Sequence, residues 1–479
     1  MNATHDVLMA KSNHIFAWPF KFKVQEKAVE EFTKPFEEQG WIRRNMDIAK
    51  QEAGDKLNPD VFMLHQYLSA SAKDIFIHKE EHICGVFEYP FQKGEKWEYL
   101  VATHREKDCL MYRLPVASVE LHVYRHGVGI LLLHVVNERY TDIEDIKKIN
   151  DYGRRVFMPV LPDDPDKFML CGDKLGIIGS DFQCVTDFLA LAKECLEKPP
   201  VSAEGLWKPV GFLYDILNCR LGAGRSEKRK DIADILDIRP TSDDRMFLMC
   251  LIRDDALSGR IGQRKWQLWE ELDEELQELL YSIIFADPDS ATCQDAGMRA
   301  ALLEKAIYPR WLDYGTLYGV TPYSMTLLTS EAAEIEAGVL RPFIIEYVYL
   351  LSLVLSQRIG IASYSEQAGR IVRGVDMKGT IKTRQARTLI NLQEKYITFK
   401  NQILILEASC QEQGIDIYQL LQKQMMVQQE QEILDEQLES LYEATNVSMG
   451  NLVASKGIWW AIAAIVVDVV INIVSIILT

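Results

Sequence analysis

LHVYRHGVGILLLHVV, Leu121 to Val136, is the stretch that sets the fold class. Two runs of β-branched, aromatic and aliphatic residues flank His126-Gly127, and the pattern reads as a hairpin turning there. Upstream, WEYLVATH, CLMYRLP and VASVELHVYR have the same character, so strands are expected over 83–136. Downstream, INDYGRRVFMPVLPDDPD breaks the pattern with glycine, aspartates and Pro159, Pro162 and Pro165. These residues predict an α+β domain over 1–200, ending at the KPP of Lys198–Pro200.

The polar, basic GAGRSEKRKD (222–231) reads as a loop or linker. Helical spacing then dominates, and a helical domain is expected over 201–375. WQLWEELDEELQELLYSIIF (266–285) shows it best, and a second block over 291–360 contains YPRWLDYGTLYGVTPYSMTLLT, expected to be a kinked connection. The apolar run FIIEYVYLLSLVL (343–355) carries Glu346 and is too short to span a bilayer, so a buried core helix or a re-entrant segment is expected.

From Leu392 a 4-3-4-3 spacing runs through Tyr396, Phe399, Ile403, Leu406, Cys410, Gln413, Ile417, Leu420, Gln424, Val427, Gln431, Leu434, Leu438 and Leu441. It predicts a long stalk helix over 380–450, a coiled coil or a long bundle helix, with a break or kink at Gly414. Residues 424–455 contain no Lys or Arg but do contain Glu430, Glu432, Asp435, Glu436, Glu439 and Glu443. In several assembled copies these would form an acidic collar that concentrates cations; in one copy they are a solvated face.

GIWWAIAAIVVDVVINIVSIIL (457–478) has one charge in 22 residues, Asp468, enough length for a transmembrane helix. Lys456, Trp459 and Trp460 stand where interfacial anchors belong. Asp468, Asn472, Ser475 and Thr479 are spaced 4, 3 and 4, with Ala461 seven before Asp468, so small and polar residues share one helix face. A charge at the bilayer centre costs about 2.5–3.5 kcal/mol on insertion scales, so it persists where it meets water, a partner or an ion. A pore lining and a hydrogen-bonded helix seam both answer that need, and both imply self-association.

At ~150 residues per domain, 479 residues make about three domains. The net charge of −17 argues against general nucleic-acid binding. MNATHDVLMAKSNHIFAWPF lacks a signal-peptide pattern, so the bulk of the chain is expected in the cytosol, attached to the inner (cytoplasmic) membrane. Nine scattered cysteines with no CxxC pair argue for reduced thiols. His78, His82 and Cys84 are one incomplete metal set, and His122 with His126 another. GDKLGIIGSDF (172–182) lacks a phosphate-loop lysine and reads as a pair of turns, while Arg154, Arg155 and the 222–231 loop are a candidate anion site or a solvated basic loop. No catalytic set and no cofactor motif emerge.

LINLQEKYITFKNQILILEASCQEQGIDIYQLL (389–421), followed by LDEQLESLYEAT (434–445) and the apolar segment, resembles the stalk and membrane helix of the CorA magnesium-transport superfamily. The likeness covers about the last 100 residues; the Gly-Met-Asn signature and the second membrane helix are absent, and Met449–Asn451 reads MGN. The resemblance implies a homo-oligomer, a pentamer in that family, with a cytosolic domain gating a cation pore, and a small ligand as the gating signal. CorA-like proteins also occur as membrane effectors of bacterial defence, and that role is implied too. The alternative is a non-conducting, membrane-tethered binding or scaffold protein.

Overall fold

The computed structural model describes residues 10–24, 31–46, 48, 58–78, 83–104, 109–167, 169–198, 210–222, 230–241, 244–263, 273–287, 292–332, 335–373, 383–443 and 445. The strands are β1 (Ser12–Lys21), β2 (Ile42–Arg43), β3 (Cys84–Glu88), β4 (Glu98–Ala102), β5 (Met111–Tyr124), β6 (Val128–Asn137), β7 (Lys174–Ile178), β8 (Gln183–Asp187), β9 (Arg239–Pro240), β10 (Phe247–Arg253), β11 (Ile307–Tyr308), β12 (Leu317–Val320) and β13 (Ser324–Thr329). The α-helices are α1 (Lys34–Gln39), α2 (Pro59–Tyr67), α3 (Ala70–Phe76), α4 (Ile143–Arg154), α5 (Phe188–Glu197), α6 (Gly211–Leu217), α7 (Ile232–Leu236), α8 (Asp255–Gly262), α9 (Glu274–Ile284), α10 (Ala296–Ala306), α11 (Arg341–Ile344), α12 (Glu346–Arg373), α13 (Thr383–Ile403), α14 (Glu412–Gln424) and α15 over 427–443. The described residues form two compact units, one from within 1–359 and 405–425, the other from within 360–404 and 426–445.

The first unit is built on one mixed sheet, ordered β11-β12-β13-β10-β1-β6-β5-β4-β7-β8. The expected hairpin is its centre. β5 and β6 pair antiparallel from Tyr124↔Val128 outward, and Gly127 takes φ +88 in the turn. A Cβ there would meet the Phe22 carbonyl oxygen at 2.5 Å, so only glycine fits. The two runs read separately as CLMYRLP and VASVELHVYR are one 14-residue strand, β5, with a bulge between Val116 and Ser118. β1 is buried along nine of its ten residues, as expected of a strand covered on both faces. Pro19 falls between the β10 and β9 pairings, where no ladder on that side needs its missing N–H.

Strand alternation gives the sheet two different faces. Phe16, Trp18, Phe20, Val119, Leu121, Val123, Leu131 and Leu133 belong to the apolar core. The alternate residues Glu120, His122, Tyr124 and His134 are carried on the opposite face, where Ser352 of α12 meets His122 and Tyr124. The 343–355 run is the buried core helix expected for it, with Phe343, Tyr347, Leu350, Leu351 and Val354 at 2% exposure or less.

Three expectations are corrected. Strands do not stop at residue 200: β10 pairs with β1, and β13 runs parallel to β10, so this sheet extends through the region expected to be a helical domain. YPRWLDYGTLYGVTPYSMTLLT is β11, a short 3-10 turn (Leu312–Tyr314), β12 and β13, because β10 offers a partner edge that local helical spacing cannot reveal. The stalk over 380–450 is three helices, α13, α14 and α15, instead of one. The chain leaves helix after Ile403 because 408–410 pair with the α2–α3 junction: Ser69 N–H donates to Ala408 O (3.0 Å) and Cys410 N–H to Tyr67 O (2.6 Å). A second break falls at Met426, which takes φ +56.

In the second unit the seam closes within one chain. Leu392, Tyr396, Phe399 and Ile403 of α13 and Val427, Leu434 and Leu438 of α15 are buried. Tyr364 packs edge-on against Tyr396 at 5.4 Å and tilted against Phe399 at 5.2 Å between ring centroids, so 360–373, α13 and α15 form a three-helix bundle. Among the described residues no single helix is long and apolar enough to cross a membrane; the bent pair Gly338–Ile344 and Glu346–Arg373 meets the test by length and composition together. The expected transmembrane helix, with Lys456, Trp459, Trp460, Ala461, Asp468, Asn472 and Ser475, lies outside the described residues.

Candidate functional site

Three buried polar clusters stand out in the first unit. The first gathers on the α12 side of the sheet. Glu120 and His122 are two apart on β5, so they share a face, and His134 reaches the same carboxylate from β6. Arg44 places Nη1 3.4 Å from Glu120 Oε1 and Nε 3.2 Å from Glu88. Burial alone would raise the Glu120 carboxyl; the permanent Arg44 charge leads the groups that outweigh it and hold it well below the usual range. Burial lowers His134, so that imidazole is neutral near pH 7. Its Nε2 and that of His122 lie 3.8 and 3.7 Å from the carboxylate, beyond hydrogen-bond range. The arrangement is a fixed ion pair flanked by imidazoles, and no three His, Cys, Asp or Glu side chains among the described residues are placed to hold a metal.

The second cluster crosses the central strands. Asn137 Nδ2 donates to Ser12 Oγ (2.9 Å), and Ser12 Oγ lies 3.0 Å from His14 Nε2. His14 Nδ1 lies 2.7 Å from Asn150 Oδ1, and Asn150 Nδ2 donates to Cys250 Sγ (3.4 Å). With Nδ1–H on a neutral His14, Ser12 donates to Nε2 and Nδ1–H donates to Asn150 Oδ1. Burial lowers His14 to about 4 and raises Cys250 to about 12, so both stay uncharged. Hydroxyl, imidazole and amide have the spacing of a nucleophile, base and orienter. Ser12, His14 and Cys250 are nevertheless 0% exposed, so the set ties β1, β6, α4 and β10 together.

The third cluster centres on Glu346, at the junction of α11 and α12, whose carboxyl is buried. Ser409 Oγ lies 2.6 Å from Oε1, and Oε2 has no hydrogen-bond partner. Ser409 Oγ also lies 3.2 Å from the Tyr67 carbonyl and accepts from Gln411 N–H (3.0 Å). Beside it, Gln413 Nε2 donates to Tyr318 (2.8 Å) and Tyr347 (2.7 Å). Burial pushes the Glu346 carboxyl up to about 7, with the Ser409 hydrogen bond opposing.

The residues singled out from sequence fare as follows. His78 pairs with Asp74 at 2.6 Å, Cys84 is buried on β3 and raised by burial, and His82 lies outside the described residues. His122 and His126 do face one element, α12, through Ser352 Oγ (2.8 Å) and the Ser356 carbonyl (3.2 Å), contacts that hold the sheet to that helix. Arg154 is turned inward onto the Ala286 carbonyl (3.0 Å), and Arg155 onto Asp151 (2.8 Å), so acids and carbonyls within the fold answer these two members of the candidate anion site. Of the collar, Asp435 departs: it accepts from Tyr396 (2.8 Å) and Lys400 (2.6 Å) inside the bundle. Glu432, Glu436, Glu439 and Glu443 are exposed, and their 4-3-4 spacing puts them on one face of α15; Glu430 is half-buried.

Sequence reading noted Glu346 only as an interruption of an apolar run. Its signal was that very isolation, since a lone carboxylate in a core helix must meet a partner or stay protonated. The Glu-x-His of β5 gave the weaker signal of alternation, and Arg44 gave none. No family model, curated protein or solved structure matches this chain.

Proposed function

We propose that this chain is a membrane-attached, self-associating protein in the manner of the CorA-like proteins it resembles, with 457–478 as the membrane segment and the two units as its regulatory body. The observation that carries the reading is the 4-3 spacing of Asp468, Asn472 and Ser475 in an otherwise apolar run. Copies facing one another with that stripe give the carboxylate the polar surroundings it requires and line a path for cations. The exposed row Glu432, Glu436, Glu439 and Glu443 supports the same reading, since such a field enriches cations locally.

Reconstitution into liposomes tests it: the full chain passes monovalent or divalent cations, and Asp468→Asn reduces the flux at least about tenfold. No flux in either protein defeats the conducting role, and equal flux in both defeats a pore lined by Asp468.

One observation favours a second reading, a non-conducting tethered binding protein. The heptad seam, which as a stalk would have gathered copies, is spent inside the bundle of 360–373, α13 and α15. In that case the body keeps its activity on any other membrane anchor, and the full chain in detergent is a monomer.

A further inference from the structure

Ser409 cannot serve both of its acceptors with one proton. Its hydroxyl lies 2.6 Å from Glu346 Oε1 and 3.2 Å from the Tyr67 carbonyl, and it already accepts from Gln411 N–H. If Glu346 is ionised, the hydroxyl proton goes to the carboxylate and the Tyr67 carbonyl loses this donor. If Glu346 is protonated, its O–H donates to Ser409 Oγ, which donates onward to Tyr67, and the chain closes. The packed geometry fits the neutral acid.

We propose that Glu346 is the proton-operated latch of the connection 405–411: protonated, it holds this strap on the α2–α3 junction, and ionised, it releases it. Besides Ser409, the strap is held by Cys410 N–H to Tyr67 O, Ser69 N–H to Ala408 O, Ser69 Oγ to Glu407 O (2.7 Å), the Tyr418 hydroxyl to Ile405 O (2.8 Å) and the Cys410 thiol to Leu68 O (3.5 Å). Leu406 is 82% exposed, so this part of the strap adds little apolar burial. Gly414 closes the other side: a Cβ there would lie 2.7 Å from Glu346 Oε1 and 2.3 Å from Ser409 Oγ, leaving no room for a carboxylate to turn.

Compensating charge is remote from the carboxyl. On its own helix the neighbour is Tyr347, and β12 and β11 present Tyr318 and Tyr308, all phenols that burial raises. The strap brings Glu407 and Cys410, both exposed. Arg310 is taken by Glu412 and Asp416 of α14. On α2, His65 is engaged by the Met46 carbonyl (2.7 Å), and Asp60 takes the Arg341 guanidinium of α11 (2.7 Å). The carboxyl that burial pushes up to about 7 thus titrates where a modest pH change decides its state.

Amide hydrogen exchange on the full chain, corrected for its intrinsic pH dependence, tests the latch independently of any conduction. Between about pH 6 and 8.5, protection of the Ser69 and Cys410 amides falls about tenfold or more in the wild type, while the β5–β6 amides stay protected. In Glu346→Gln it does not change with pH. Constant wild-type protection overturns the proposal even if the variant fails to fold, and so does a variant that loosens in parallel with the wild type.

Discussion

At the scale of single residues, Gly414 shows how packing overrules propensity. Alanine in place of glycine inside a helix ordinarily gains about 0.5–1 kcal/mol. Here the added methyl would sit 2.3 Å from Ser409 Oγ and 2.7 Å from the Glu346 carboxyl, in a buried site with a backbone bridge behind it. Overpacking of that kind costs about 1–3 kcal/mol. Gly414→Ala is therefore expected to destabilise the protein by about 1–2 kcal/mol, read as a lower urea midpoint at unchanged slope. A neutral or stabilising result would mean that the strap yields easily.

Among elements, the seam is the instructive case. Its apolar spacing was legible: Leu392, Tyr396, Phe399, Ile403, Val427, Leu434 and Leu438 are buried, while Gln431 and Leu441 are half-buried. What no spacing could show is that the chain breaks at 404–411 and at Met426, so that α13 and α15 bury their seams inside one chain. The Lys400–Asp435 contact at 2.6 Å marks that pairing, although a half-exposed ion pair contributes little. Leu438→Ala, at a site 3% exposed, is expected to cost about 2–4 kcal/mol of bundle stability. The loss should not depend on protein concentration; a midpoint that rises with concentration would mean that the seam joins copies.

For the whole molecule, buried titratable groups set opposing pH dependences. Burial lowers His14 and His126 from 6.5 to about 4, so the unfolded chain takes up protons first. Their contribution is whole above pH 6.5 and is lost as pH falls toward about 4, of the order of 3 kcal/mol each at the limit. Glu346 acts the other way: raised from 4.5 to about 7, it contributes fully below pH 4.5 and loses that contribution as pH rises through about 7. His134, lowered by burial, acts with these imidazoles, while Glu88 and Asp151, raised by burial, act with Glu346. The Glu346 contribution is isolated by difference: between about pH 7 and 4.5 the urea midpoint should shift further downward on acidification for Glu346→Gln than for the wild type, because the variant lacks the opposing gain. A variant with the shallower slope would contradict the assignment of Glu346.

Sequence by itself determined the central hairpin, because alternation with a glycine turn is local chemistry, and the buried core helix at 343–355, because a long apolar run must be covered. Tertiary structure decided the rest. Whether Leu317–Val320 and Ser324–Thr329 are helix or strand depended on the open edge of β10, which β13 meets in a register 76 residues apart, as in Leu248↔Ser324. Whether Glu120 stays charged depended on Arg44, which reaches it from 76 positions away. Whether Glu346 meets water or Ser409 depended on a strap 63 residues further on. Hydrogen-bond partners and burial are properties of what folding brings together, and periodicity along a chain carries no record of them.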